Sequence, residues 1–346
     1  MGGDNAGKGM AATLLGAAAA ACWLYLLAFR DGFWRIRHPP VEAPPTPRKI
    51  AVVIPARDEV TVIARAVSSL LAQRYTGPFH IVVVDDHSSD GIAEAARAAA
   101  IEYDGADRLT VVQAAPVPPG WTGKLWAVRQ GIEIARGLGP DYLLLTDADI
   151  VHAPDNLAEL VARAERGGYD LVSLMVRLNY RSVWERRIGG VDEIRHEIID
   201  DCALACRIKT VGRVWLGAAG DTCSIREYRS WRPIWDMIAR CAFAQLGYSA
   251  LALIGTIAMM TIVYIAPPLL LASGLSWAAL LGAAVWLGMS LAFVPILRVY
   301  RCPAVLAPLL PAIAMFYMAA TIASAILFWR GRGGNWKGRF QAAPVS

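Results

Sequence analysis

Three stretches of this sequence crowd carboxylates together in a way that chemistry could use. Pro55-Ala56-Arg57-Asp58-Glu59, Asp85-Asp86-His87-Ser88-Ser89-Asp90 and Thr146-Asp147-Ala148-Asp149 follow short apolar runs at 50–54, 79–84 and 142–145. Taken singly, each reads as a helix cap or a solvated turn, and Ser88, Ser89 and Asp90 are residue types that cap helices. Three such clusters in succession are hard to explain by stability alone. Asp147 and Asp149 flank one residue, so at a strand end both carboxylates can converge on a single divalent cation. Oxygen-only ligands suit Mg2+ or Mn2+, with water and diphosphate oxygens completing the shell. Such an ion offsets negative charge as a nucleotide diphosphate leaves.

Those clusters need a scaffold that brings them together. The apolar runs at 50–54, 79–84, 109–112, 142–145 and 171–176 read as strands, and residues 60–73, 91–100, 124–138 and 156–166 as helices. Strands alternating with helices predict an α/β domain with a mainly parallel, Rossmann-like sheet. In such sheets ligands bind beyond the carboxyl ends of the strands, where the acidic clusters lie.

The rest of the chain is apolar. Of its 346 residues 56% are hydrophobic, too many for an ordinary soluble protein. Residues 10–29 carry no charge and are long enough to cross roughly 30 Å of hydrocarbon. A cleaved signal peptide would have a shorter core, and Arg30, Arg35 and Arg37 follow this one directly, so it reads as an anchor. No charged residue occurs in 241–297 or 302–329. Residues 249–273 and 276–297 read as two spanning helices, because backbone polar groups in lipid must pair internally. The arginines after the first span and before the second predict that the middle region is cytoplasmic. A full crossing over 304–329 would put Arg330, Arg332, Lys337 and Arg339 outside; Pro303, Pro308 and Pro311 permit a re-entrant or interfacial path instead, and a cytoplasmic tail is expected. The resulting plan is a transmembrane anchor over 1–30, a proline-rich linker over 31–49, a folded domain over 50–240, membrane helices over 241–329 and a basic tail over 330–346.

The net charge of +5 is thus mainly topological, and no clustered basic face points to nucleic acid. The six cysteines include no CxxC pair, and Cys202 and Cys206 lack partners for a zinc site, so reduced thiols are expected.

The ordered set PARDE, VDDHSSD, TDAD and IDD resembles family-2 inverting glycosyltransferases of the GT-A fold. More closely, VVVDDHSSDG, PPGWTGKLWA, LLLTDADIVHAPDN and GRGGNWKGR resemble hopene-associated glycosyltransferases of bacterial hopanoid clusters, over nearly all of 50–340. The resemblance implies a nucleotide-sugar donor, UDP-linked, and a hopanoid or similar lipid acceptor at the bacterial inner membrane. Arg57, Asp58 and Glu59 would border the nucleoside, and Asp86 would accept from the base. Lys124 would pair with diphosphate; its other reading is a solvated first-turn lysine. Trp121 would wall the donor pocket or belong to the core. Asp147 would contact ribose or metal, and Asp149 would be the main metal ligand. In Asp200-Asp201, Asp201 would be the catalytic base for the acceptor hydroxyl, or the pair would cap a following helix. Arg240 is the nearest match to the family's arginine motif beside the membrane, without the tryptophan that usually follows.

The chain departs from the family between Asp149 and Asp201, where about fifty residues stand in a normally longer interval, shortened near 185–188. Two alternatives therefore remain: a nucleotide-sugar-binding membrane protein without turnover, and transfer to a polyprenyl phosphate, which needs no base.

Overall fold

The computed structural model describes residues 2–29, 46–177, 207–226, 230–273, 276–300, 302–331, 335–336 and 339–340. Contacts group the chain into two units, Arg37–Tyr228 and the pair Met1–Ile36 with Arg229–Ser346.

The first unit holds β1 (Ile50–Ala56), α2 (Val60–Leu71), β2 (Phe79–Asp85), α3 (Ile92–Glu102), β3 (Leu109–Gln113), α4 (Gly123–Gly137), β4 (Tyr142–Leu145), β5 (Ile150–Val151), α5 (Asn156–Gly167), β6 (Leu171–Arg177) and β7 (Val214–Ser224), α1 being the N-terminal helix Gly2–Phe29. Each strand and helix expected from periodicity is present within a residue or two at its ends. Strands β3-β2-β1-β4 form one sheet in that order, and all three pairings are parallel. β1 is buried along its whole length, as a central strand covered on both faces must be. Ile63, Val67 and Leu70 of α2 pack on one face with Val52 and Ile54; Leu125, Val128 and Ile132 of α4 pack on the other with Ala51 and Val53. Gly131 lets α4 approach closely, because a Cβ there would lie 2.4 Å from Val53 Cγ1.

The order 3-2-1-4 reverses direction between β1 and β4, and such a reversal opens a crevice beyond the strand ends. Pro55 widens it. Val53 O accepts from Thr146 N at 3.0 Å, so the backbone of Val53 faces β4. Two residues on, Pro55 turns the same way and has no N–H to give, which ends the ladder there. The chain beyond Leu145 is thereby released to place Asp147 and Asp149 at the reversal point. A second sheet, β5-β7-β6, was not expected from the sequence: β7 runs parallel to β6 and antiparallel to the short β5.

The second unit is helical. Among the described residues four segments are long and apolar enough to cross a membrane: Gly9–Phe29, Ala250–Ala272, Trp277–Arg298 and Ala304–Trp329. The last is helical over most of its length, long enough for a crossing. Pro308 lies in a 3-10 turn and Pro311 in the first turn of the helix Leu310–Trp329, where a missing N–H interrupts no ladder, so the helix runs on unbroken. Indole N–H groups tie the segments together. Pro267 and Pro268 leave Val263 O without a donor four or five residues on, and Trp23 Nε1 donates to it at 3.0 Å. Trp286 Nε1 likewise donates to Pro308 O at 3.1 Å. Among the described residues Cys22, Cys223, Cys241 and Cys302 are free thiols; Cys202 and Cys206 lie outside them.

Candidate active site

The residues after β1 and β2 form one interlocked pair of turns. Arg57 Nη1 donates to Asp86 O at 2.8 Å and lies 3.2 Å from Asp86 Oδ2, whose side chain is 1% exposed. Asp58 N donates to Ser88 Oγ, and Ser89 N donates back to Asp58 Oδ1. That reciprocal lock holds Asp58 at φ 47° and His87 at φ 55°, left-handed conformations that cost a residue with a Cβ of order 1 kcal/mol. Asp85 and Asp90 have local work instead. Asp85 Oδ1 accepts from Ser88 N, closing a turn, and Asp90 Oδ2 accepts from Val60 N. Asp90 thus caps α2, on the neighbouring turn, rather than the helix that follows it in sequence.

Beyond β4, Thr122 caps α4 by accepting from Leu125 N, which sets Lys124 in the first turn. Lys124 Nζ lies 3.0 Å from Asp147 Oδ1. Asp149 is buried, its side chain 4% exposed. Its Oδ2 accepts from Ser224 Oγ at 2.8 Å and lies 3.3 Å from Arg226 Nε, while Arg226 Nη2 reaches Glu59 Oε1. The turn behind Asp149 is held by His152, which is buried, with Nε2 3.4 Å from Thr146 Oγ1 and Nδ1 2.9 Å from Asn156 Nδ2. Trp121 is half-buried against the α4 core and meets Trp126 edge-on at 5.2 Å.

Arg57, Asp58, Glu59, Asp86, Lys124, Asp147 and Asp149 therefore gather at one edge of the sheet. Arg240 lies in the other unit, half-buried on the helix Arg232–Gln245. Asp201, with Asp200 and the shortened interval at 185–188, lies outside the described residues. Sequence reasoning missed Ser224 and Arg226. Ser224 ends β7 and Arg226 follows it, and the partner of both, Asp149, stands 75 and 77 positions earlier.

The donor set fits a hard divalent ion. Asp147 and Asp149 offer only oxygen, and among the described residues no cluster of three or more metal-ligating side chains exists that would cage the ion completely. Mg2+ and Mn2+ are commonly held by one or two carboxylates, the rest of the shell coming from water and substrate phosphates. The N-terminus of α4 beside Lys124 adds the charge that such phosphates need.

Residues 51–202 match the family described as Glycosyl transferase family 2. Two curated undecaprenyl-phosphate 4-deoxy-4-formamido-L-arabinose transferases are similar. The protein of Serratia proteamaculans is 32% identical over 142 residues, 40% of each chain, and that of Pseudomonas paraeruginosa 36% over 140 residues, 40% of this chain and 38% of its own. The chain thus spans about two fifths of the length of these relatives. Among solved structures, a mannosyltransferase from Pyrobaculum calidifontis, in complex with GDP-Man and Mn2+, superposes with a TM-score of 0.56. It is 19% identical, covering 91% of this chain and 98% of that one, which speaks for the fold. The parallel sheet, the reversal between β1 and β4, the ordered acidic strand ends and these matches agree: residues 51–202 match Glycosyl transferase family 2 and fold as a GT-A core.

Proposed function

We propose that this chain is a membrane-bound glycosyltransferase that moves a sugar from a nucleotide-sugar donor onto a lipid acceptor. The observation that carries the reading is the meeting of Lys124–Asp147 and Glu59–Arg226–Asp149 at the sheet reversal. Arg57, Asp58, Glu59 and Asp86 would border the nucleoside, with Lys124 and the α4 N-terminus taking the diphosphate. Asp149 and Asp147 would hold Mg2+ or Mn2+, which supplies charge neutralisation for the departing diphosphate. The bacterial inner membrane, with Arg37–Tyr228 on its cytoplasmic face, is the setting that the flanking arginines favour.

For the acceptor, a polyprenyl phosphate is the first choice, supported by the curated relatives, which are named for transfer onto undecaprenyl phosphate. Its phosphate oxygen attacks the anomeric carbon as the bond to the nucleotide diphosphate breaks, and no proton has to be removed. The hopene-associated motifs favour a second reading, a hopanoid hydroxyl, whose proton would pass to Asp201.

Purified full-length protein in lipid nanodiscs, given labelled UDP- and GDP-sugars with undecaprenyl phosphate or a hopanoid alcohol, separates the two. The phosphate reading predicts labelled polyprenyl lipid from wild type and from Asp201→Asn, and none from Asp149→Ala. Transfer only to the alcohol, abolished by Asp201→Asn while donor binding persists, would establish the hydroxyl reading instead.

A further inference from the structure

The cation that Asp149 meets in this fold belongs to the protein itself. Ile225 N donates to Asp149 O at 2.8 Å and Arg226 N to Ser224 Oγ at 3.3 Å, so a short turn after β7 is pinned to the Asp149 backbone. That turn delivers Ser224 Oγ and Arg226 Nε to the same carboxylate oxygen, Oδ2. The far end of the guanidinium reaches Glu59 at the start of α2. One side chain therefore joins the ends of β1, β4 and β7. Burying a carboxylate is costly unless opposite charge and hydrogen-bond donors accompany it, and Arg226 supplies both to Asp149. Arg226 itself is 42% exposed, so it can leave without unpacking the core.

The metal reading of the site makes a competing claim on the same carboxylate. A divalent ion sits about 2.1 Å from its oxygen ligands, and a guanidinium on Oδ2 would then face a like charge a few ångströms away. Both cations cannot be held well at once. We propose that Arg226 is a built-in competitor for the divalent ion: it neutralises Asp149 and Glu59, and it yields Asp149 when Mg2+ or Mn2+ binds. The inference rests on the donor-site reading above. Metal alone must displace a bonded guanidinium and therefore binds weakly. A nucleoside diphosphate adds negative charge that draws the metal in and offers the released Arg226 a new partner. Metal and nucleotide then strengthen each other's binding by the same factor, as linkage requires.

The test is Mn2+ titration of the full-length protein by electron paramagnetic resonance, with and without UDP, on wild type, Arg226→Ala, Arg226→Gln and Asp149→Ala. Circular dichroism and thermal melts check folding, and Arg226→Gln carries the test if Arg226→Ala does not fold. The expected result is about tenfold tighter Mn2+ binding without UDP in the Arg226 variants, with a smaller further gain on adding UDP than wild type shows. If wild type and Asp149→Ala bind Mn2+ equally, the donor-site reading falls, and this proposal with it. If Asp149→Ala loses Mn2+ but folded Arg226 variants bind it no more tightly than wild type, only the competitor role is overturned.

Discussion

At the scale of residues, the site is a set of charges that hold one another while leaving oxygen atoms for a ligand. Asp86 shows the cost of such an arrangement. Its side chain is 1% exposed and faces Arg57, which is itself 16% exposed. Breaking a buried pair by removing one partner is far more damaging than never having built it. Asp86→Ala is therefore expected to destabilise the Arg37–Tyr228 unit by about 2–4 kcal/mol, read as a fall of several degrees in melting temperature. An unchanged melting temperature would mean that the pair contributes nothing and that Arg57 is satisfied by the Asp86 carbonyl alone. The acidic clusters were legible in the sequence because they follow apolar runs, but their division of labour was not. Asp85 and Asp90 close a turn and cap α2, tasks that depend on which loop faces which. Arg226 was hidden for the same reason: only the return of β7 beside β5 brings it to Asp149.

At the scale of elements, the parallel strands were legible because a strand covered on both faces reads as an apolar run, as β1 and the Ile81–Val84 stretch of β2 do; β4 is apolar too, although only Leu144 in it is buried. β7 was not, since Val214–Ser224 mixes glycine, alanine and polar residues without alternation. Its assignment comes from pairing with β6, a non-local relation that no window of sequence contains. The membrane helices repeat the lesson in another form. Apolar length identified them, whereas the role of the prolines depended on position: Pro311 starts a helix and Pro267 orphans a carbonyl. Trp23 repairs that second defect, so Trp23→Phe should keep the ring packing and lose one hydrogen bond. A loss of about 1 kcal/mol is expected in detergent unfolding experiments, against no change for Leu24→Ala, whose side chain is exposed. Equal effects of the two changes would contradict the assignment of the indole N–H to Val263 O.

At the scale of the whole molecule, a GT-A core and four helices long enough to cross a membrane occur in one chain. That combination suits a soluble donor and an acceptor that stays in the bilayer. A full crossing by Ala304–Trp329 would place the basic residues from Arg330 onward on the side opposite Arg298, whereas the charge asymmetry favours a cytoplasmic tail. The acceptor is the level at which the sequence is least informative, because Asp200 and Asp201 lie outside the described residues and the curated relatives align over only part of their length. The proposed donor site can be tested alone. The most direct measurement is calorimetric titration of UDP- and GDP-sugars into the purified full-length protein, with and without Mn2+, for wild type and Asp149→Ala. The account predicts binding that requires Mn2+ and is lost in Asp149→Ala. Binding of equal strength in both proteins, or none in a well-folded wild type, would contradict it.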